Sequence, residues 1–278
     1  MAFGSARSCG VTTLVLGLAA TWAAAERVLV VEADPAGGTL AAASGWPPEP
    51  SLVSLAAAAR RGGDPALVWE HCHELPGGAA VLAGPASGEQ ARSALGMLGP
   101  LLGRLGELDA AVLVDCGRLD PRSPAAALWE RADRGVLVGR PRLADLQAVA
   151  SSLEGRTLDG RVALVLVGDG PYPDAEVAEA LGLEVLGRLP WDSDAAEALT
   201  MLPASARHLR LAPLVRAVRT LADRLAGEPA AAEPGENEPV PETGPSGRAV
   251  AVRSRVLRAW RSDARPHTNG SIPEEASR

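Results

Sequence analysis

The segment Gly4-Ser5-Ala6-Arg7-Ser8-Cys9-Gly10-Val11-Thr12-Thr13 carries the residue types needed to hold an anion. Its small side chains let main-chain N–H groups approach phosphate oxygens, and a helix starting near Val11 would turn its positive end toward them. The Thr12 hydroxyl stands where a Mg²⁺ ligand would be needed. Gly10-Val11-Thr12-Thr13 has the outline of the Gly-Lys-Thr-Thr that closes a nucleotide-binding loop, with valine in the lysine position. The chain has no lysine at all; its 27 basic residues are all arginine. An ordinary helix start uses the same small residues, so this segment alone decides nothing. A second acidic and glycine-rich segment, Glu32-Ala33-Asp34-Pro35-Ala36-Gly37-Gly38, follows an apolar run. A carboxylate there lies at the carboxyl end of a strand, facing the crevice where open α/β sheets take ligands.

The elements that must position these groups are short apolar runs alternating with helical patterns from residue 10 to about 226. The expected strands are Val28–Glu32, Ala79–Ala83, Ala110–Asp115, Gly135–Gly139, Val162–Val167 and Glu184–Leu189. They show little alternation, as strands buried on both faces of a parallel sheet do. The expected helices are Thr12–Ala24, Ser51–Arg60, Ser87–Leu105, Pro124–Arg131, Leu143–Leu153, Asp174–Leu181, Ala195–Met201 and Leu211–Leu225. The pattern predicts an α/β fold with a doubly wound, mostly parallel sheet flanked by helices. Only Met1-Ala2-Phe3 precedes the loop, where a strand usually has about five or six residues. The first strand is therefore very short, or the true start lies upstream.

The two motifs together resemble the MinD/ParA family of deviant Walker ATPases, P-loop NTPases of the SIMIBI class, in which a lysine-bearing loop is followed by a strand and Asp-x-Asp-Pro. Val112-Leu113-Val114-Asp115-Cys116-Gly117 resembles the family's Walker B strand, and Leu186-Gly187-Arg188-Leu189-Pro190-Trp191-Asp192 its late purine-contacting strand and loop. Val162–Gly168 resembles the strand leading to its base-contacting position. The resemblance covers residues 1–226 and implies ATP and Mg²⁺ as cofactors. It implies that Arg7, Ser8, Cys9, Gly10, Val11, Thr12 and Thr13 surround the phosphates and that Thr12 ligates Mg²⁺, with Asp115 acting through water. It further implies that Asp34 positions or activates the attacking water, that Glu32 is the first acid of that pair, and that Pro190, Trp191 and Asp192 line the base pocket. Trp191 would stack on adenine, or simply pack.

The departures are specific. Val11 replaces the lysine that reaches the β- and γ-phosphates. A second lysine near the loop start is absent, with Arg7 about one place away as a substitute of different geometry. Gly168-Asp169 stands where an Asn contacts the base. The expectation is weakened nucleotide binding and slow or lost hydrolysis. The resemblance implies a nucleotide-dependent homodimer that positions a chromosome or membrane assembly through a protein partner. The alternative is a pseudo-ATPase scaffold resembling localisation proteins of Tad-type pilus or secretion systems.

A net charge of −7 gives no global pull toward nucleic acid, so direct DNA binding is not supported. Three cysteines, Cys9, Cys72 and Cys116, are odd in number and argue for a reducing, cytoplasmic setting. Cys9 and Cys116 would both lie near the crevice, which leaves a redox pair open. Glu70-His71-Cys72-His73-Glu74 invites a metal reading, but its spacing suits a surface helix end better. Arg7, the apolar Val11–Ala20 and Ala23-Ala24-Ala25 also resemble a secretory signal, although the run leads directly into the strand at Val28. Residues 227–248 read as an acidic, Pro-rich disordered linker. In residues 249–278, Ala249, Val252, Val256 and Trp260 share one helical face opposite Arg255, Arg258 and Arg261. Such a basic amphipathic segment, 249–261, is suited to peripheral contact with the inner face of a membrane.

Overall fold

The computed structural model describes residues 1–23, 26–60, 63–120, 122–153, 160–200 and 211–227. The apolar runs become an eight-stranded sheet in the order β3-β4-β2-β5-β1-β6-β7-β8. The strands are β1 (Ala2–Ser5), β2 (Val28–Glu32), β3 (His73–Glu74), β4 (Ala80–Leu82), β5 (Ala111–Arg118), β6 (Gly135–Gly139), β7 (Val162–Val167) and β8 (Glu184–Leu189). All neighbours are parallel except β3 and β4, which pair antiparallel at the edge. The helices are α1 (Val11–Thr21), α2 (Leu40–Ala43), α3 (Leu52–Ala59), α4 (Gly88–Leu102), α5 (Ala125–Arg131), α6 (Leu143–Leu153), α7 (Asp174–Leu181), α8 (Ser193–Thr200) and α9 (Pro213–Gly227).

Why the strands lack alternation is visible in the core. Leu29 and Val31 of β2 point into one apolar layer with Leu55 of α3, Leu98 of α4, Val149 of α6 and Val177 of α7. Val28 and Val30 point into the other, with Leu14 and Leu18 of α1, Leu199 of α8 and Val218 and Leu221 of α9. Both faces of the sheet are covered, so successive residues must all be apolar.

Four of the six expected strands match to the residue. The first strand is short but real: β1 is four residues long and lies between β5 and β6 at the centre of the sheet. β5 runs three residues beyond its expected end, through Cys116, Gly117 and Arg118, because it pairs with β1 as well as β2. Helix α4 ends at Leu102 rather than Leu105, α8 starts two residues early, and α9 runs to Gly227, one residue into the expected linker. The rest of the linker, the basic tail at 249–278, Ala24 and Met201 lie outside the described residues. Among the described residues no helix is long and apolar enough to cross a membrane.

Candidate functional site

Chain reversal at the sheet centre makes the site. β1 lies between strands reached by crossovers in opposite directions, so a crevice opens at the carboxyl ends of β1, β2 and β5. The loop after β1 enters α1 at Gly10, whose φ of 93° is the left-handed conformation that favours glycine. No side chain caps α1. Its first N–H groups are thus left for solvent or a ligand at the dipole's positive end.

A cavity of about 490 Å³ adjoins that helix start, lined by Ser8, Cys9, Gly10, Val11 and Thr12 from the loop side and by Asp34 across from them. The Thr12 hydroxyl donates to Asp115 Oδ2 at 2.6 Å, and the Gly117 amide donates to Asp115 Oδ1 at 2.9 Å. Burial pushes the Asp115 carboxyl up to about 6, with Asp34 adding to the rise and the two hydrogen bonds opposing it. Asp34 accepts from the Ala36 amide at 2.8 Å. Burial raises its carboxyl above the usual range, against the Ala36 amide and the Arg118 charge. Gly117, with φ of 59°, packs onto Asp34 so closely that a Cβ there would lie 2.2 Å from Asp34 Cγ.

A second cavity of about 250 Å³ shares Ser8, Cys9 and Gly10 with the first and continues to Thr13, Arg140, Pro190, Trp191 and Asp192. The Trp191 ring is not a packing residue: it is 62% exposed, with the Arg140 guanidinium carbon 4.6 Å from its centroid. Asp192 Oδ1 accepts from the Ala195 amide at 3.0 Å and so caps α8. Thr13 faces this second cavity rather than the first.

Two expected site residues stand elsewhere. Glu32 lines neither cavity. It is 3% exposed, and its carboxylate accepts from the Thr39 and Leu40 amides at 2.7 and 3.1 Å and from the Gly84 amide at 2.9 Å. It is a brace between β2, the start of α2 and the end of β4. Arg7 also lines neither cavity; its side chain is 61% exposed and lies 3.8 Å from Asp145 on α6.

The cysteines and histidines have plain roles. Cys9 donates to the Val138 carbonyl at 2.9 Å, and burial pushes its thiol up to about 11. Cys116 packs on the opposite face of the sheet, so the two do not form a redox pair; all three cysteines are free. His71 Nδ1 is 2.8 Å from Ser54 Oγ, and His73 stacks on Trp46 at 4.6 Å. Among the described residues no group of three or more His, Cys, Asp or Glu side chains is placed to hold a metal ion. The arginines that line the cavities, Arg92, Arg118, Arg122 and Arg140, were not expected from the sequence. A signal for Arg118 was present: it directly follows the Asp-Cys-Gly of the acidic strand.

No protein-family model matches the sequence, and no curated protein matches it significantly. Solved structures do. A ParA family ATPase from Chlorobium tepidum superposes with a TM-score of 0.67 at 18% identity, over 80% of this chain and 98% of that one. MinD from Pyrococcus horikoshii, complexed with Mg-ADP, gives 0.65 at 20% identity, over 81% and 96%. An ATP complex of McdA from Cyanothece gives 0.59 at 15% identity, over 83% and 97%. The mostly parallel sheet with helices on both faces is therefore the P-loop fold of the ParA, MinD and McdA ATPases.

Proposed function

We propose that the chain is a nucleotide-binding switch of the MinD/ParA kind, which takes ATP with Mg²⁺ and hydrolyses it slowly or not at all. One observation carries this reading: the 2.6 Å Thr12–Asp115 pair stands at the mouth of an uncapped helix, with Asp34 across the same cavity. The main-chain N–H groups of Gly10, Val11, Thr12 and Thr13 hold the phosphates. The Thr12 hydroxyl would hold Mg²⁺ with Asp115 behind it, and Trp191 and Pro190 would take the base. Mg²⁺ held there would supply charge that offsets the phosphates. Asp34 orients water at the phosphate end.

Ligands in the neighbours support this: MinD was solved with Mg-ADP and McdA with ATP. The ATP form favours a homodimer that engages a protein partner in a cytoplasmic positioning system, through differential affinity for one conformation. Sedimentation velocity tests it. Mg-ATP should shift the chain from monomer to dimer and ADP should not; the same species in both would refute the switch.

A second reading is favoured by Val11, which is 6% exposed and packs in the core with Leu14 and Val15. The position that would carry a charge instead adds apolar contact, as in a pseudo-ATPase scaffold of a Tad-type pilus or secretion system. Val11→Lys separates the two. A large gain in phosphate release indicates that the remainder of a switch site is intact; no gain indicates a scaffold.

A further inference from the structure

The loop between β1 and α1 brings no cation to its own cavity. Its single basic residue, Arg7, pairs outward with Asp145 at 3.8 Å, and Val11 is apolar. Three arginines from other elements line the cavity instead: Arg92 on α4, Arg118 at the end of β5 and Arg122 in the loop that follows. They are not equivalent. Arg92 Nη1 donates to the Pro35 carbonyl at 2.9 Å. Arg122 lies 3.8 Å from Asp120, and its side chain is 94% exposed. Arg118 reaches across to the loop itself, with Nη2 3.4 Å from Ser8 Oγ. The left-handed turn at Gly117 sets its direction, and its charge is felt at Asp34.

We infer that Arg118 supplies the phosphate-binding charge of this cavity, delivered from the acidic strand rather than from within the loop. The inference rests on the nucleotide reading above and deepens it: the site recognises a polyphosphate tail, with the base held separately beside Trp191. A guanidinium is always protonated and offers a planar fork to two phosphate oxygens. Arg118 contacts Ser8 two residues before Gly10 and lines the same cavity as Gly10, Val11 and Thr12 at the start of α1.

The test is calorimetric titration of wild type, Arg118→Ala and Arg118→Lys with Mg-ATP, adenosine and inorganic tripolyphosphate. Unliganded melting temperatures check that each variant folds; the side chain is exposed, so they should match wild type. Arg118→Ala should lose about tenfold or more in affinity for Mg-ATP and tripolyphosphate, and Arg118→Lys should recover part of it. Adenosine affinity should change by less than about twofold in either variant. Wild type binding Mg-ATP while Arg118→Ala binds it equally well would overturn the assignment and leave the nucleotide reading standing. Arg118-dependent binding of tripolyphosphate without any ATP binding would do the reverse. No binding of either ligand to wild type would overturn both.

Discussion

Replacing Glu32 by alanine should unfold the protein more readily rather than merely disable chemistry. The carboxylate is the acceptor for three main-chain amides, those of Thr39, Leu40 and Gly84, at 2.7 to 3.1 Å in a site only 3% exposed. Each buried amide left without an acceptor costs about 1–3 kcal/mol. Burial already raises the Glu32 carboxyl above its usual range, so removing the charge returns part of that loss. The net is about 2–5 kcal/mol, or a fall of roughly 5–15 °C in melting temperature for a domain of this size. Glu32→Gln keeps an acceptor for Thr39 and Leu40 but sets an NH₂ against the Gly84 amide, for about 1–3 kcal/mol. Because the folded-state pKa is raised, this group's contribution is fully present below its unfolded value. It is lost as pH rises through the folded value. Glu32→Gln lacks that titration, so its deficit relative to wild type should narrow from pH 5 to pH 8. Urea unfolding followed by circular dichroism at both pH values measures this. A Glu32→Ala protein melting within about 1 °C of wild type would refute the brace; a Glu32→Gln gap that does not move with pH would refute the raised carboxyl pKa.

Asp115→Asn should stabilise the empty protein at pH 8. Burial raises this carboxyl from 3.8 to about 6, so its contribution is present below its unfolded value and lost as pH rises through the folded one. The variant gains about 3 kcal/mol at pH 8 and about half that at pH 5, read from urea midpoints, while Mg²⁺-dependent ATP affinity falls. Trp191→Ala removes the exposed ring beside Arg140 and should weaken ATP by about two- to tenfold with tripolyphosphate affinity unchanged, measured by titration. Gly117→Ala puts a Cβ against Asp34 at a φ of 59°. It should depress both residual ATP turnover and ATP affinity, since the same turn aims Arg118, compared by phosphate release and calorimetry.

Most of the architecture was legible because β2, β6 and β7 are buried along nearly their whole length and run almost continuously apolar. The two-residue edge strand β3 was not, since His73 and Glu74 leave no periodic trace and are set by pairing to β4. Motif order singles out Asp34, Thr12 and Asp115; Thr12 and Asp34 line one cavity, and Asp115 lies buried behind Thr12. Glu32 does not join Asp34 at the cavity because β2 ends at Glu32 and Asp34 belongs to the turn beyond it, while the Thr39, Leu40 and Gly84 amides take up the Glu32 carboxylate. Arg118 is marked in the sequence only by following Asp-Cys-Gly, which does not say where its side chain goes. Its position depends on β5 extending past Asp115 and on the backbone turn at Gly117, neither of which a short apolar run announces.

The central claim is that main-chain amides, Thr12, Asp115 and arginines from outside the loop hold a Mg-triphosphate without a lysine. Calorimetric titration of the purified chain with ATP and Mg²⁺, with ADP for comparison, tests it directly. The account predicts one saturable site, with an affinity about one to two powers of ten below that of the Val11→Lys variant. No heat and no melting shift with either adenine or guanine nucleotides at millimolar concentration would contradict it.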